Sequence, residues 1–66
     1  MNIKFPNITV KLTGRDGSAL AVVGAVIRAL RKGGVGPRDI DDYQAAALSG
    51  DYDHLLNVTM DTVEID

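Results

Sequence analysis

Sixty-six residues with no cysteine and one histidine make one domain at most, and they exclude a disulfide framework and a thiolate metal site. Seven Lys and Arg against nine Asp and Glu give a net charge of −2 and a pI of about 5.1, so the chain as a whole is not drawn to phosphate backbones. The charge is nevertheless sorted: all seven cations lie in residues 1–38 with only Asp16 among them (+6), and the other eight acids follow (−8).

Residues 1–13 alternate in character. Ile8, Val10 and Leu12 share one parity, with Thr9, Lys11 and Thr13 on the other, which predicts a half-buried strand over 8–13. Residues 2–5 are read as its extension or as a short separate strand, since Pro6 lacks a donor and belongs at a strand start, an edge or a bulge. Gly14-Arg15-Asp16-Gly17 is a turn, and Ser18 a good N-cap.

A helix is predicted over 19–32, with Leu20, Val23, Ile27 and Leu30 at helical spacing and Val22, Val26 and Ala29 on a neighbouring stripe. Arg28, Arg31 and Lys32 fall in its last two turns, opposite the negative end of its dipole, and Gly33-Gly34 stops it. A helix apolar over so much of its circumference needs cover from more than one side, by a second helix or by another subunit.

Pro37 fits the first turn of a second helix, and Asp39, Asp41 and Asp42 load its positive end. Ile40, Tyr43, Ala47 and Leu48 give that helix a narrow apolar stripe, and Ser49-Gly50 ends it. Asp51 caps a short third helix over 52–60, with Leu55, Leu56, Thr59 and Met60 on its inner face. Asp61 to Asp66 alternates again, with Val63 and Ile65 inward, and reads as a short terminal strand, unless the helix runs on to Val63. The whole is a small single α+β domain, residues 1–66: strand, two main helices, a short third helix, strand. Two strands leave both outer edges open, and a symmetric homodimer joining two such pairs into a four-stranded sheet is the expected assembly.

The chemistry-bearing residues are few. Gly14, Arg15, Gly17 and Ser18, between a strand and a helix, form a candidate anion site, although no phosphate-binding loop motif is present. The Asp39/Asp41/Asp42 and Asp51/Asp53 clusters lack the calcium-loop pattern. His54 has Asp51 and Asp53 nearby, but there is no Cys and no Ser in a nucleophile elbow. No enzyme activity, metal or cofactor is expected. Lys4 is followed by Pro6-Asn7 where a signal peptide would turn apolar, and the longest apolar run, 19–27, is too short to span a bilayer. The expected setting is cytoplasmic, with no membrane contact.

Three strings carry a family resemblance: Val10-Lys11-Leu12-Thr13-Gly14-Arg15-Asp16-Gly17-Ser18-Ala19, then Ala29-Leu30-Arg31-Lys32-Gly33-Gly34-Val35, then Ser49-Gly50-Asp51-Tyr52-Asp53-His54-Leu55-Leu56. Over residues 8–65 the chain resembles a group of small uncharacterised proteins of bacteria and their phages. In that group an Asn and an aromatic residue stand where this chain has Ser18 and Leu20, a departure that keeps the cap and shrinks a core residue. The resemblance implies a compact cytoplasmic accessory protein, phage-borne and acting on a host process, and transfers no catalytic residue.

The function these readings favour is a non-enzymatic protein-interaction module, homodimeric, with a further protein as partner. Its expected contact residues are Val10, Leu12, Val22, Val26, Val63 and Ile65. The alternative is a small nucleic-acid-binding regulator using Arg15, Arg28, Arg31, Lys32 and Arg38.

Overall fold

A computed structural model describes residues 2–12 and 17–66. Chain order is β1 (Phe5–Val10), α1 (Ala19–Lys32), α2 (Pro37–Ala47), α3 (Tyr52–Thr62) and β2 (Val63–Ile65). The two strands pair in parallel, so the three helices form one long crossover between them. The α+β class and the element order are as the sequence predicts.

β1 lies three residues upstream of the predicted 8–13 strand. The reason is its partner. β2 is three residues long and supplies neighbours only up to Val10, which pairs with Ile65. At the other end the Lys4 amide donates to the Asp61 carbonyl at 2.9 Å, drawing the start of the pairing back to Phe5. Pro6 falls where the register breaks, between Phe5 and Thr9, as its missing N–H requires. Lys11 and Leu12 lie past the strand, and Thr13 lies outside the described residues.

α1 begins at Ser18, whose hydroxyl accepts the Ala21 amide at 3.3 Å. Its end is a Schellman motif. The Val35 amide reaches back to the Leu30 carbonyl at 3.0 Å and the Gly34 amide to that of Arg31 at 3.1 Å. Gly34 makes this possible with φ +83°, a conformation that costs a side-chain-bearing residue about 1–2 kcal/mol. α2 starts on Gly36-Pro37 without a side-chain cap. In α3 the Asp51 carboxylate accepts the His54 amide at 2.9 Å, and the helix runs two residues past the predicted Met60 before turning directly into β2.

Val26 and Leu30 of α1 are fully buried, with Ala47 of α2, Leu55 and Thr59 of α3 and Val63 of β2 around them. β1, α2 and α3 all pack on α1, so the cover its apolar circumference calls for comes from within the chain. Three residues predicted to face inward face out: Leu20 is 76% exposed, Met60 49% and Leu48 45%. Each sits near a helix end, where the apolar stripe outruns the neighbour that would cover it. Leu20, expected in the core, is therefore a surface residue of this chain.

The buried polar groups satisfy one another. Thr59 Oγ1 donates to the Leu55 carbonyl at 2.9 Å and lies 2.8 Å from the Tyr43 hydroxyl. Because the one Thr59 hydroxyl proton is committed to Leu55, Tyr43 is the donor between the two side chains. Burial pushes the Tyr43 phenol above its ordinary value of 10.0; the neighbouring Thr59 hydroxyl pulls the other way. Burial is the larger of the two effects, so the phenol ends above its ordinary value.

Candidate functional site

Residues Ser49 to Leu56 build the α2–α3 corner. His54 Nε2 lies 2.8 Å from the Ala46 carbonyl oxygen and 3.0 Å from Ser49 Oγ. A carbonyl only accepts, so Nε2 carries the proton. The Ser49 hydroxyl also donates to Ala46 O, at 2.7 Å. With its Nε2 lone pair absent, the imidazole cannot take a proton from Ser49, and the pair is a helix-end cap rather than a base and nucleophile. Asp51, one of the two carboxylates near His54 in the sequence, accepts the His54 backbone amide.

Of the candidate anion site, Gly14 and Arg15 lie outside the described residues. Its other two members are engaged. The Gly17 carbonyl accepts the Tyr52 hydroxyl at 2.6 Å, and the Ser18 hydroxyl caps α1. Tyr52 thus ties the start of α3 to the start of α1, a contact between residues far apart in sequence that periodicity does not reveal.

The cations separate into two directions. Arg28 and Lys32 line a groove of about 250 Å³ with Lys11, Thr9 and Val10, so β1 and α1 bring three positive side chains together with no acid among the lining residues. Arg31 faces a different depression, shared with Asp41, Pro37 and Ile40 of α2. Arg38 is exposed on the first turn of α2, and Arg15 lies outside the described residues. Of the cations proposed for nucleic acid, Arg28 and Lys32 thus line one groove and Arg31 another, and Lys11, absent from that set, lies with the first two. Only the pairing of β1 against the end of α1 shows this; spacing along the chain does not.

The predicted contact residues divide just as clearly. Val10, Val22, Val26 and Val63 are at most 4% exposed and leave no side-chain surface for a partner. Leu12 and Ile65 remain half-exposed, one beyond the end of β1 and one on β2. Ile65 lines a shallow depression of about 230 Å³ with Ile3, Met60, Val63 and Glu64. Exposed Asp61, Glu64 and Asp66 surround this β2 edge. Ile3 and Met60 were not among the predicted contact residues; the parallel return of the chain beside residue 3 places them there.

A concavity of about 420 Å³ lies between β1 and the Gly33–Gly36 turn. Lys4 and Asp39 meet across its rim at 3.6 Å, both about half exposed, so the pair contributes under about 1 kcal/mol. Apart from Asn7 it gathers no further polar side chain. Among the described residues no helix is long and apolar enough to cross a membrane, and no group of three or more metal-ligating side chains forms. No family model matches the chain, and none of the curated proteins or solved structures compared with it matches either.

Proposed function

We propose that this chain is a non-enzymatic protein-interaction module that works as a homo-oligomer and docks through its sheet. The observation that carries the reading is a two-stranded sheet whose strands pair only with each other among the described residues, leaving an outer edge on each. An unpaired edge is a template for another strand. A chain of this size gains what its small core lacks by associating. The engagement of His54, Ser49 and Asp51 in holding a helix corner supports a non-enzymatic role. Following the resemblance, we place the protein in the cytoplasm as a phage-borne accessory factor that acts on a host process through a further protein.

Sedimentation velocity across the micromolar range tests the proposal. A species heavier than the monomer is expected to grow with concentration, and a monomer at every concentration would refute it.

The groove of Lys11, Arg28 and Lys32 favours one second reading, a nucleic-acid-binding regulator. It predicts oligonucleotide affinity that falls steeply with salt. The acidic chain as a whole and the divergence of Arg31 speak against it.

A further inference from the structure

Gly24 stands in the middle of α1 without a reason inside the chain. Its backbone is ordinarily helical, since among the described residues only Gly34 has positive φ. A Cβ built on Gly24 would meet nothing within 4 Å, whereas the Ile8 and His54 side chains fill that space at Gly33 and Gly50. An interior glycine costs a helix stability relative to alanine. What glycine offers in return is close approach by another backbone. Its neighbours on the same face also lack full cover. At spacings of three and four, Leu20, Gly24, Ile27 and Arg31 form one stripe of α1. Leu20 at its start is 76% exposed, and Ile27 is only partly buried.

The two ends of this helix differ in charge. Arg28 and Arg31 lie in its last turns. At the other end the Tyr52 hydroxyl donates to the Gly17 carbonyl at 2.6 Å, which holds the start of α3, with exposed Asp51 and Asp53, beside the start of α1. We infer that two copies of this chain associate through α1, the helices crossing antiparallel about a two-fold axis at Gly24. Such an axis brings together residues equally far from Gly24 in opposite directions. Leu20 then lies against the aliphatic stem of the partner's Arg28. Arg31 meets the partner's Gly17, where Tyr52 brings the two acids. Arg31 also shares a depression with Asp41 of its own copy, so it stands between acids of both. Aligned in parallel, the same helices would set each cationic end against its like, so charge favours the antiparallel pairing. Each feature of this face is complementary to another on the same face, which is why the occupant is a second copy. The inference rests on the homo-oligomer reading and places a contact on α1, apart from the sheet edges.

Gly24→Ala and Gly24→Gln test it, since each puts a better helix former where the single copy has room. When dilute enough to be monomeric, both should melt above the wild type by circular dichroism. Both should nevertheless associate more weakly, and in sedimentation equilibrium Gly24→Gln should raise the dissociation constant about tenfold or more. The two effects have opposite sign only if the glycine serves a contact outside the chain; a lower melting temperature in both variants would return Gly24 to internal packing and overturn the inference. Arg31→Glu and Asp53→Lys check the direction of the helices. Each alone should weaken association, and an equimolar mixture should restore it, because each copy then offers the sign the other needs. A mixture that stays apart overturns the antiparallel pairing. If Gly24→Gln assembles as tightly as the wild type, the α1 contact fails while the homo-oligomer stands. A wild type that stays monomeric at every concentration sinks both.

Discussion

The imidazole of His54 reaches 2.8 Å from the carbonyl oxygen of Ala46, and in doing so its ring covers the space where a side chain at residue 50 would stand. A Cβ built on Gly50 would meet His54 Cγ at 2.8 Å and its Cβ and Cδ2 at 2.9 Å. Gly50 does not have positive φ, so alanine brings no backbone strain there. On backbone grounds alone the change would stabilise by about 0.4–1 kcal/mol. The clash reverses the sign. Gly50→Ala should cost about 1–2 kcal/mol in urea denaturation, as overpacking typically does. In a His54→Ala background two of the three contacts vanish and the cost should fall by more than half. Additive costs in the double variant would show that the ring does not set the glycine requirement.

The Tyr43–Thr59–Leu55 chain of hydrogen bonds predicts an asymmetry. Thr59→Val strands the buried Tyr43 hydroxyl and the Leu55 carbonyl loses a donor, which should destabilise by about 1–3 kcal/mol. Tyr43→Phe leaves the Thr59 bond to Leu55 intact and should cost about 1 kcal/mol. The double variant should be less unstable than the sum of the two, because the stranded hydroxyl is gone.

Alkaline pH gives an independent check on the same residue. The folded chain holds the Tyr43 proton to a higher pH than the unfolded chain, whose phenol titrates near 10.0. The folded state therefore binds more protons in that window, and stability falls as pH rises. The contribution is intact below pH 10 and is lost as pH climbs through the folded value. Melting temperature should drop above about pH 10 in the wild type. Tyr43→Phe should flatten that drop, and an unchanged slope would remove Tyr43 as its cause.

Two leucines of α1 should respond in opposite ways. Leu30 is 0% exposed, and Leu30→Ala should cost about 2–5 kcal/mol through lost burial and the cavity left behind. Leu20 is 76% exposed, and Leu20→Ala should stay within about 0.5 kcal/mol. A large loss at Leu20 in the monomer would restore it to the core.

These contrasts mark how far the residues themselves could be read. α1 matches its predicted bounds because Ser18 and Gly33-Gly34 punctuate a clear helical period. Val26, Leu30, Ile40, Tyr43 and Leu55 are inward as their spacing implies. Periodicity assigns a face but not the length of the neighbour covering it, which is why Leu20, Leu48 and Met60 read as core and are not. Alternation over 8–13 located a strand but could not place its ends, since those depend on a three-residue partner at the other end of the chain. The candidate surfaces were the least legible. Lys11 joins Arg28 and Lys32 only across the β1–α1 contact, and Ile3 meets Met60 only through the parallel return of β2.

The pairing of Phe5 with Val63 has a bearing on how the molecule acquires its shape. Loop closure over nearly the whole chain must precede any sheet bond, and its entropy is met only once intervening contacts exist. The helices must therefore assemble first, with the sheet as the final latch. In native-state hydrogen exchange the amides of β2 should open before those of α1, releasing the strand while the helical body holds. A chain caught in that opened form would present a loose, acidic, three-residue strand. The segment that closes the fold is thus also the one freest to be lent to a neighbour.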